Sequence, residues 1–259
     1  MGTLKSHKLN HLLQKAPPNA VITSQFLAEN SIPKELARKY VTSDWLTRIG
    51  RGAYIRTGDT VDWQGALYAK QSQLGLSVHA GGLTALQMKG LGHYLPMAEE
   101  TIHLFSDGPE RLPDWFKRYD WGTTIEHHSG VLFDLSASAS LSSVLHKGFE
   151  IQISSPDRAA FEMLSLVKTN DDFDAARTVF DGLTSLRPKE VQRLLVACRS
   201  VRVKRTFLWM AKDCGHPWVK HLDVSGVDLG KGKRAIYRNG RLDKEYQITV
   251  PRDSGEAHV

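Results

Sequence analysis

The sequence predicts an α+β protein, in which a small N-terminal unit of helices and one hairpin precedes a larger mixed α/β domain. Two short amphipathic segments and a glycine-containing hairpin follow one another within residues 20–56. The breaker Thr57-Gly58-Asp59 separates them from a longer region of mixed strand-like and helix-like segments. We therefore expect two domains, residues 1–57 and residues 58–259.

The composition is that of an ordinary globular protein. Of 259 residues, 41% are hydrophobic and 24% are charged, which argues against disorder. No apolar run is long enough to span a membrane, and residues 1–13 lack the apolar core of a secretory signal. The two cysteines, Cys198 and Cys214, provide no disulfide framework, so we expect reduced thiols and a cytoplasmic protein without a membrane partner.

The net charge of +6 is unevenly distributed along the chain. Residues 1–58 hold nine Lys/Arg against three Asp/Glu, residues 59–186 nine against seventeen, and residues 187–244 fifteen against five. Two basic segments therefore flank an acidic middle. Segregated positive charge creates a field that attracts polyanions, so this distribution favours a nucleic-acid partner.

The first segments of the chain are predicted to be helical. Leucines at helical spacing indicate a helix over residues 4–15. Ala16-Pro17-Pro18-Asn19 ends this helix, because proline cannot continue the hydrogen-bond ladder. Val21-Ile22 is a candidate for a short strand or a hydrophobic staple, and Thr23 is a good N-cap for the second helix.

A third helix is predicted over residues 33–43, after a turn at Asn30-Ser31. Pro33 stands near its first position, where a missing N–H group is tolerated. An apolar face and a charged face alternate at helical spacing in this segment. The apolar face consists of Leu36, Ala37, Tyr40 and Val41, and the charged face consists of Lys34, Glu35, Arg38 and Lys39.

A β-hairpin is predicted next. Trp45-Leu46-Thr47-Arg48 and Ala53-Tyr54-Ile55-Arg56 are rich in aromatic and β-branched residues. Ile49-Gly50-Arg51-Gly52 between them supplies the glycines that a tight turn needs. The order of helix, turn, helix and basic wing is that of a winged helix-turn-helix, and it predicts duplex DNA as the partner.

The predicted DNA contacts lie on the third helix, the start of the second helix and the wing. The exposed N-terminal side chains of a recognition helix lie nearest the base edges, and wing residues reach the backbone or the minor groove. The alternative is a protein-interaction winged helix whose charges are only solvated. The candidate DNA-binding residues are Ser24, Gln25, Lys34, Glu35, Arg38, Lys39, Thr42, Arg48 and Arg51.

The larger region is predicted to mix strands and helices. Its helices are expected over 61–75 and 81–90, and as three or four segments across 156–216 that begin at Ser155-Pro156-Asp157. Either a helix or a loop is expected around 115–119. Its strands are expected at 77–79, 101–106, 123–128 and 149–154. Asn239-Gly240 is a signal for a further hairpin.

A second basic block occupies residues 187–244. Charged and β-branched residues alternate over 201–205, and residues 230–234 form a glycine-containing cationic loop. This block predicts a second DNA contact, an RNA contact or a face for an acidic protein; the alternative is pairing with the acidic middle of the same chain. The residues of the predicted surface are Arg202, Lys204, Arg205, Lys231, Lys233, Arg234 and Arg238.

Neither a metal site nor a cofactor is predicted from residue spacing. His79, His93, His103 and His127-His128, like Cys214-Gly215-His216, lack the i, i+4 or C-x-x-C spacing of zinc sites. The chain also lacks a phosphate-binding glycine loop and a G-x-S-x-G elbow. We therefore expect a protein that is not an enzyme.

A metal-dependent nuclease with a winged-helix targeting unit is the alternative function. Asp134 and Glu150-Ile151-Gln152 resemble the carboxylate arrangement that holds Mg²⁺ in nucleases. Gln152 stands where those enzymes use lysine, and a neutral amide cannot stabilise the developing charge. An inactive, nuclease-like protein is part of the same alternative.

Several motifs resemble those of one known family. The run T-x-x-F-L-A…S…L-x-R…W-L-x-R-I-G-R-G-A-Y is similar to the N-terminal domain of AbiEi-type antitoxins of type IV toxin–antitoxin systems. The segments His79-Ala80-Gly81-Gly82-Leu83-Thr84-Ala85-Leu86, Lys89-Gly90-Leu91-Gly92-His93 and Ser155-Pro156-Asp157-Arg158-Ala159 with Glu162 resemble that family's second domain. The resemblance covers roughly residues 5–170 and, more weakly, the rest of the chain.

The resemblance implies a transcriptional autorepressor that binds inverted repeats in its own promoter. It also implies neutralisation of a nucleotidyltransferase toxin, a role in phage defence and an antitoxin function in the larger C-terminal domain. By the same resemblance, Lys34, Arg38, Arg48 and Arg51 contact DNA. The sequence offers no clear dimer seam, so a monomer and a dimer on DNA are both open.

Overall fold

The computed structural model describes residues 2–92, 101–134 and 140–252, with side chains described from residue 8 onward. It confirms the predicted α+β fold, with an N-terminal unit of helices and one hairpin followed by a larger α+β part. Within these ranges, no helix combines the length and the apolar character needed to cross a membrane.

The N-terminal unit has the predicted order of elements. Helix α1 spans Gly2–Lys15, strand β1 Ile22–Thr23, helix α2 Ser24–Glu29, helix α3 Lys34–Thr42, strand β2 Leu46–Gly50 and strand β3 Ala53–Arg56. The three strands form an antiparallel sheet in the order β1-β3-β2. Trp45 lies outside β2 and is exposed, so the predicted first strand was one residue too long at its start.

Local signals explain the turn between α2 and α3. The Thr23 hydroxyl accepts a hydrogen bond from the Phe26 N–H at 3.1 Å, which caps α2 as predicted. Asn30 ends α2, and Ser31 turns the chain with a φ of 59°. Pro33 is the N-cap of α3 rather than its first residue, a difference of one position.

The N-terminal unit has an apolar core of its own. Leu12, Ile22, Leu27 and Leu46 are at most 1% exposed and belong to one cluster of buried side chains between Leu9 and Tyr54. Each helix and strand of the unit therefore contributes to a shared interior, which holds α2 and α3 at a fixed angle.

The larger part begins with a helix and ends with a small hairpin. Its helices are α4 (Trp63–Tyr68), which continues as a π-helical turn (Ala69–Gln73), α5 (Gly82–Met88), α6 (Asp114–Arg118), α7 (Pro156–Leu166), α8 (Asn170–Asp181), α9 (Pro188–Ala197) and α10 (Val201–Asp213), with a 3₁₀ turn at Pro217–His221. Its strands are β4 (His79–Ala80), β5 (Thr101–Ser106), β6 (Thr124–Ser129), β7 (Leu141–His146), β8 (Phe149–Ser154), β9 (Arg241–Asp243) and β10 (Ile248–Val250).

A mixed sheet of five strands, in the order β6-β5-β4-β8-β7, forms the centre of the larger part. The pairs β5–β6 and β4–β8 are parallel, and the pairs β4–β5 and β7–β8 are antiparallel. Strand β7 was not predicted. It is an edge strand whose side chains are mostly exposed or half-buried, so its sequence lacks a regular apolar alternation.

The hairpin at the end of the chain differs from its prediction. Strand β9 pairs with β10 in antiparallel register, from Asp243 opposite Ile248 to Arg241 opposite Val250. The chain therefore reverses over residues 244–247, and Asn239-Gly240 precedes β9 instead of forming the turn between the strands.

The N-terminal unit is joined to the larger part by buried hydrogen bonds. The Gln73 amide donates to the Val21 carbonyl and accepts from the Thr23 N–H, each at 2.8 Å. The side-chain amide of Gln73 thereby makes the two hydrogen bonds that the backbone of a neighbouring strand would make to this edge of β1. At the wing, Gly50 packs so closely on Trp115 that a Cβ would lie 2.6 Å from the Cβ of that tryptophan. These contacts fix the wing against the larger part.

A buried carboxylate connects the helices of the larger part with its sheet. Glu162, on α7, is 1% exposed. It accepts hydrogen bonds from His79 Nε2 (3.1 Å), the Gly82 N–H (3.0 Å), the Ser154 hydroxyl (2.6 Å) and Arg158 Nε (2.8 Å). Strands β4 and β8 and the first turn of α5 therefore all donate to one side chain of α7.

The environment of Glu162 stabilises its charge. Burial alone would raise the pKa of this carboxyl group, but the hydrogen bond and charge of His79, the charge of Arg158 and the Ser154 hydroxyl lower it to about 2. Gly81 lies so close to the same carboxylate that a Cβ would collide with it. Gly81 is therefore needed for this contact, while Gly82 contributes its backbone N–H and has a φ of 54°, a conformation that favours glycine.

We expect Glu162→Gln to lower the free energy of unfolding by about 3–5 kcal/mol, because it leaves the buried Arg158 without one of its counter-charges. Urea denaturation followed by circular dichroism measures the change. Glu150→Gln, at an exposed position on β8, is the matched control and should stay within about 0.5 kcal/mol of the parent. A Glu162→Gln protein as stable as that control would contradict the role given to this carboxylate.

Candidate nucleic-acid interface

A concave groove lies between α3 and the wing. Its volume is about 670 Å³, and α2, α3 and the β2–β3 hairpin all contribute to its walls. Six of the nine predicted DNA-binding residues line it: Ser24, Lys34, Arg38, Thr42, Arg48 and Arg51. The fold thus brings together residues that lie up to 27 positions apart in the sequence.

Helical periodicity explains the part of this set that lies on α3. Lys34, Arg38 and Thr42 are four residues apart and project from one side of the helix. The Thr42 hydroxyl donates to the Arg38 carbonyl at 3.0 Å, while the Lys34 and Arg38 side chains are exposed. The two cations are therefore free to face a ligand in the groove.

The wing forms the opposite wall of the groove. Arg48 Nε donates to the Gly50 carbonyl at 3.1 Å, and Arg51 is exposed at the tip. Gly52 has a φ of 79°, a conformation that favours glycine, and its carbonyl accepts from the Ser24 N–H at 2.8 Å. This bond ties the wing to the start of α2 and sets the width of the groove.

The electrostatic character of the groove is uniform. Its lining includes the cations Lys34, Arg38, Arg48 and Arg51 and no carboxylate among the residues that the structure describes there. Four positive groups around one concave surface produce a potential that attracts an anionic polymer.

The remaining three predicted residues lie outside this groove. Gln25 donates to Glu29 at 3.0 Å along the exposed side of α2, and Glu35 is exposed on α3. Lys39 lies on the other side of α3, in a shallow depression with Tyr40 and the exposed Trp45. Sequence analysis missed one feature of the groove: half-buried Val41, which packs against the apolar core as expected, also lines the groove.

The second predicted basic surface is wrong at two positions. Lys204 and Arg205 are only 4% and 3% exposed, because residues 201–213 form α10 and these two side chains fall on its inner side. Arg205 donates to the carbonyls of Leu229, Gly230 and Gly232 at 2.6–3.0 Å. Its charge thus holds the loop that follows α10 and is not available to a partner.

The other members of this set have different environments. Lys231, Lys233 and Arg238 are exposed, and Arg234 is half-buried. Arg202 donates to the Val167 carbonyl at 2.5 Å. Elsewhere in the block, Arg187 pairs with Asp157 and Arg199 pairs with Asp134, so part of the basic block does bind the acidic middle of the chain.

The carboxylates of the nuclease hypothesis are not arranged as a metal site. Asp134 is exposed and pairs with Arg199, which lowers the pKa of Asp134 through a hydrogen bond. Glu150 is exposed on β8, and the Gln152 amide donates to the Ser143 hydroxyl at 2.7 Å. Neither Asp134 nor Glu150 belongs to a group of potential metal ligands within the described ranges.

A different group of potential ligands does come together. His103, Glu126 and His128 present one ligand atom each, all within 4.8 Å of one another, although residue spacing predicted no metal site. Spacing within one helix or loop cannot detect this group, because its members lie on two strands. His79 and His127 lie elsewhere, and His93 falls outside the described residues.

The chain matches two sequence models of one family. A model described as "Transcriptional regulator, AbiEi antitoxin, Type IV TA system" matches residues 99–251. A model described as "Transcriptional regulator, AbiEi antitoxin N-terminal domain" matches residues 5–97. The predicted boundary after residue 57 lies inside the second match, so that boundary stays a prediction.

The fold is similar to that of a solved mycobacterial protein. The crystal structure of the RV2827C protein from Mycobacterium tuberculosis superposes with a TM-score of 0.57 and 13% sequence identity, over 95% of this chain and 90% of that chain. At this identity the likeness concerns the fold alone. A comparison with curated proteins finds no match.

We expect Arg205→Ala to lower the free energy of unfolding by about 3 kcal/mol, because several loop carbonyls lose a charged donor at once. Lys233→Ala, on the same loop but exposed, should change stability by no more than about 0.5 kcal/mol. Chemical denaturation of the two variants in parallel measures the difference. Equal stabilities would mean that Arg205 does not organise the loop.

Proposed function

The chain belongs to the family of AbiEi antitoxins, the transcriptional regulators of type IV toxin–antitoxin systems, and from that premise we propose a division of labour between its two parts. The N-terminal unit, residues 1–57, binds duplex DNA at inverted repeats in the protein's own promoter and represses its operon. The larger part, residues 58–259, counteracts a nucleotidyltransferase toxin.

The groove between α3 and the wing is the observation that supports DNA binding most directly. Four cations surround it, and DNA affinity arises largely from neutralised phosphates and released counterions. In the proposed complex one strand of the duplex backbone runs along this groove. Ser24, at the N-terminus of α2, offers a hydroxyl to the same backbone.

We assign recognition of the DNA base sequence to α3. Lys34 and Arg38 are exposed on the side of α3 that lines the groove, and Glu35 is exposed on the same turn. Arginine binds guanine through two hydrogen bonds, and glutamate accepts from cytosine, so these side chains suit the major groove. Val41 and the methyl group of Thr42 offer apolar contacts to thymine. Arg48 and Arg51 extend the contact to the phosphates or the minor groove.

Contacts outside the groove are secondary in this proposal. Gln25 and Lys39 flank the groove on either side and reach neighbouring phosphates.

One chain carries one wing, so an inverted repeat takes two copies, bound either as a dimer or as two monomers. Lys231, Lys233 and Arg238, exposed on the larger part, form a second basic face for DNA or for the toxin.

Arg38→Ala should weaken binding to the promoter by about 1–3 kcal/mol if Arg38 reads a base, and should reduce the preference for promoter over scrambled DNA. Fluorescence anisotropy with both duplexes at several salt concentrations measures the two effects. Lys39→Ala is the control on the same helix, and it should weaken binding to both duplexes equally. Unchanged promoter affinity in Arg38→Ala would exclude the groove as the reading site.

A variant that combines Arg38→Ala, Arg48→Ala and Arg51→Ala should separate the two functions. We expect it to lose promoter binding and to reduce the salt dependence of any residual binding by about one phosphate contact for each of Arg48 and Arg51 that binds a phosphate. In cells that express the toxin from a separate, constitutive promoter, the same variant should still restore growth. Loss of rescue by a folded variant would place the antitoxin function in the winged unit instead.

A further inference from the structure

The strands β5 and β6 place three potential metal ligands on one face of the sheet. These strands are parallel neighbours, and His103 is paired with Glu126 in their register. His128 lies two residues beyond Glu126, so its side chain projects from the same face. The three side chains are therefore brought together by strand pairing.

The distances within this group suit a small cation. His103 Nδ1 lies 3.1 Å from His128 Nε2, and Glu126 Oε2 lies 3.7 Å and 3.6 Å from those two nitrogens. A tetrahedral ion with bonds of about 2.0–2.1 Å separates its ligands by about 3.3–3.4 Å. The carboxylate is too distant to hydrogen-bond either imidazole, yet it completes a triangle of the size that such an ion needs.

The group lies at the wall of an open groove. This groove, of about 350 Å³, runs between the sheet face and helices α7 and α8, and Lys168 and Asp172 line its opposite side. Glu126 is 55% exposed, so water can reach the centre of the triangle. A bound ion would therefore keep one coordination position for water.

The ligands are held before any ion arrives. The backbone N–H of His103 donates to the Thr84 hydroxyl at 2.8 Å, and the backbone carbonyl of His103 accepts from the Gly81 N–H at 3.0 Å, so the strand that carries this ligand is fixed. The ring of His128 packs on Phe105 with 4.9 Å between centroids. Burial lowers the pKa of both His103 and His128, which favours the neutral imidazoles that a metal ion binds; the ion would take the place of the proton in the hydrogen bond between His103 Nδ1 and His128 Nε2.

We propose that His103, Glu126 and His128 form a binding site for a zinc-class divalent ion, with water as the fourth ligand. Two imidazole nitrogens and one carboxylate oxygen favour Zn²⁺ over Mg²⁺ or Ca²⁺, which prefer oxygen ligands. The ion links β6, an edge strand, to β5. The site is separate from the winged unit and does not depend on DNA binding.

Zinc titration of the full-length chain after dialysis against EDTA tests the proposal. Calorimetry with ZnCl₂ should show one site per chain, and cobalt substitution should give the visible absorption of a tetrahedral centre. His103→Ala and His128→Ala should each weaken zinc binding at least about tenfold. Loss of a residue that only supports a metal ligand already weakens binding by about that factor, and these two residues bind the ion directly. His127→Ala is the matched control, because His127 projects from the opposite face of β6 and contacts Ser106 at 3.1 Å.

A milder variant keeps the test decisive if a histidine variant fails to fold. Glu126→Gln changes a half-exposed side chain and should leave the apo protein folded while weakening zinc binding. Zinc should raise the melting temperature of the parent and of His127→Ala, since a ligand bound only to the folded state stabilises it, and should raise that of Glu126→Gln less. Absence of binding by the parent, or equal binding by all variants, overturns the proposal.

Discussion

The buried carboxylate of Glu162 is the interaction on which the larger part of the structure depends. Four donors, from two separate chain segments and from its own helix, converge on it. An ionised group can remain in an interior only when all its hydrogen-bonding capacity is used, because desolvation of an unpaired charge costs several kcal/mol. The sheet, the first turn of α5 and helix α7 therefore have one mutual arrangement that satisfies this charge. Arg158 extends the same network to Asp107, beyond the end of β5, at 2.5 Å.

Much of the fold was predictable because its signals are local. Thr23 caps α2, Ser155 caps α7, and most helices and strands lie within a few residues of their predicted positions. The errors share a different cause. Lys204 and Arg205 look exposed in the sequence, but only the packing of α10 decides which side of that helix faces the interior. The group around His103 likewise depends on the register of two strands that are far apart in the chain, and no residue spacing encodes that register.

The candidate DNA-binding groove combines both kinds of information. Helical spacing alone places Lys34 and Arg38 on one side of α3. The distance from that side to the wing depends on the hydrogen bond between Ser24 and Gly52 and on the pairing of β1 with β3. Sequence analysis therefore identified the chemical groups of the groove, whereas the concave surface they share, and the position of Val41 within it, required the structure.

The pairing of Gln73 with β1 has a thermodynamic consequence. This side chain belongs to the π-helical turn of the larger part, yet it completes the hydrogen bonding of a strand in the winged unit. The two units thus share a structural element and cannot respond to ligands independently if that element moves. Thermodynamic linkage is reciprocal. If a protein bound to the larger part changes the affinity of the winged unit for DNA through Gln73, then bound DNA changes the affinity for that protein by the same factor.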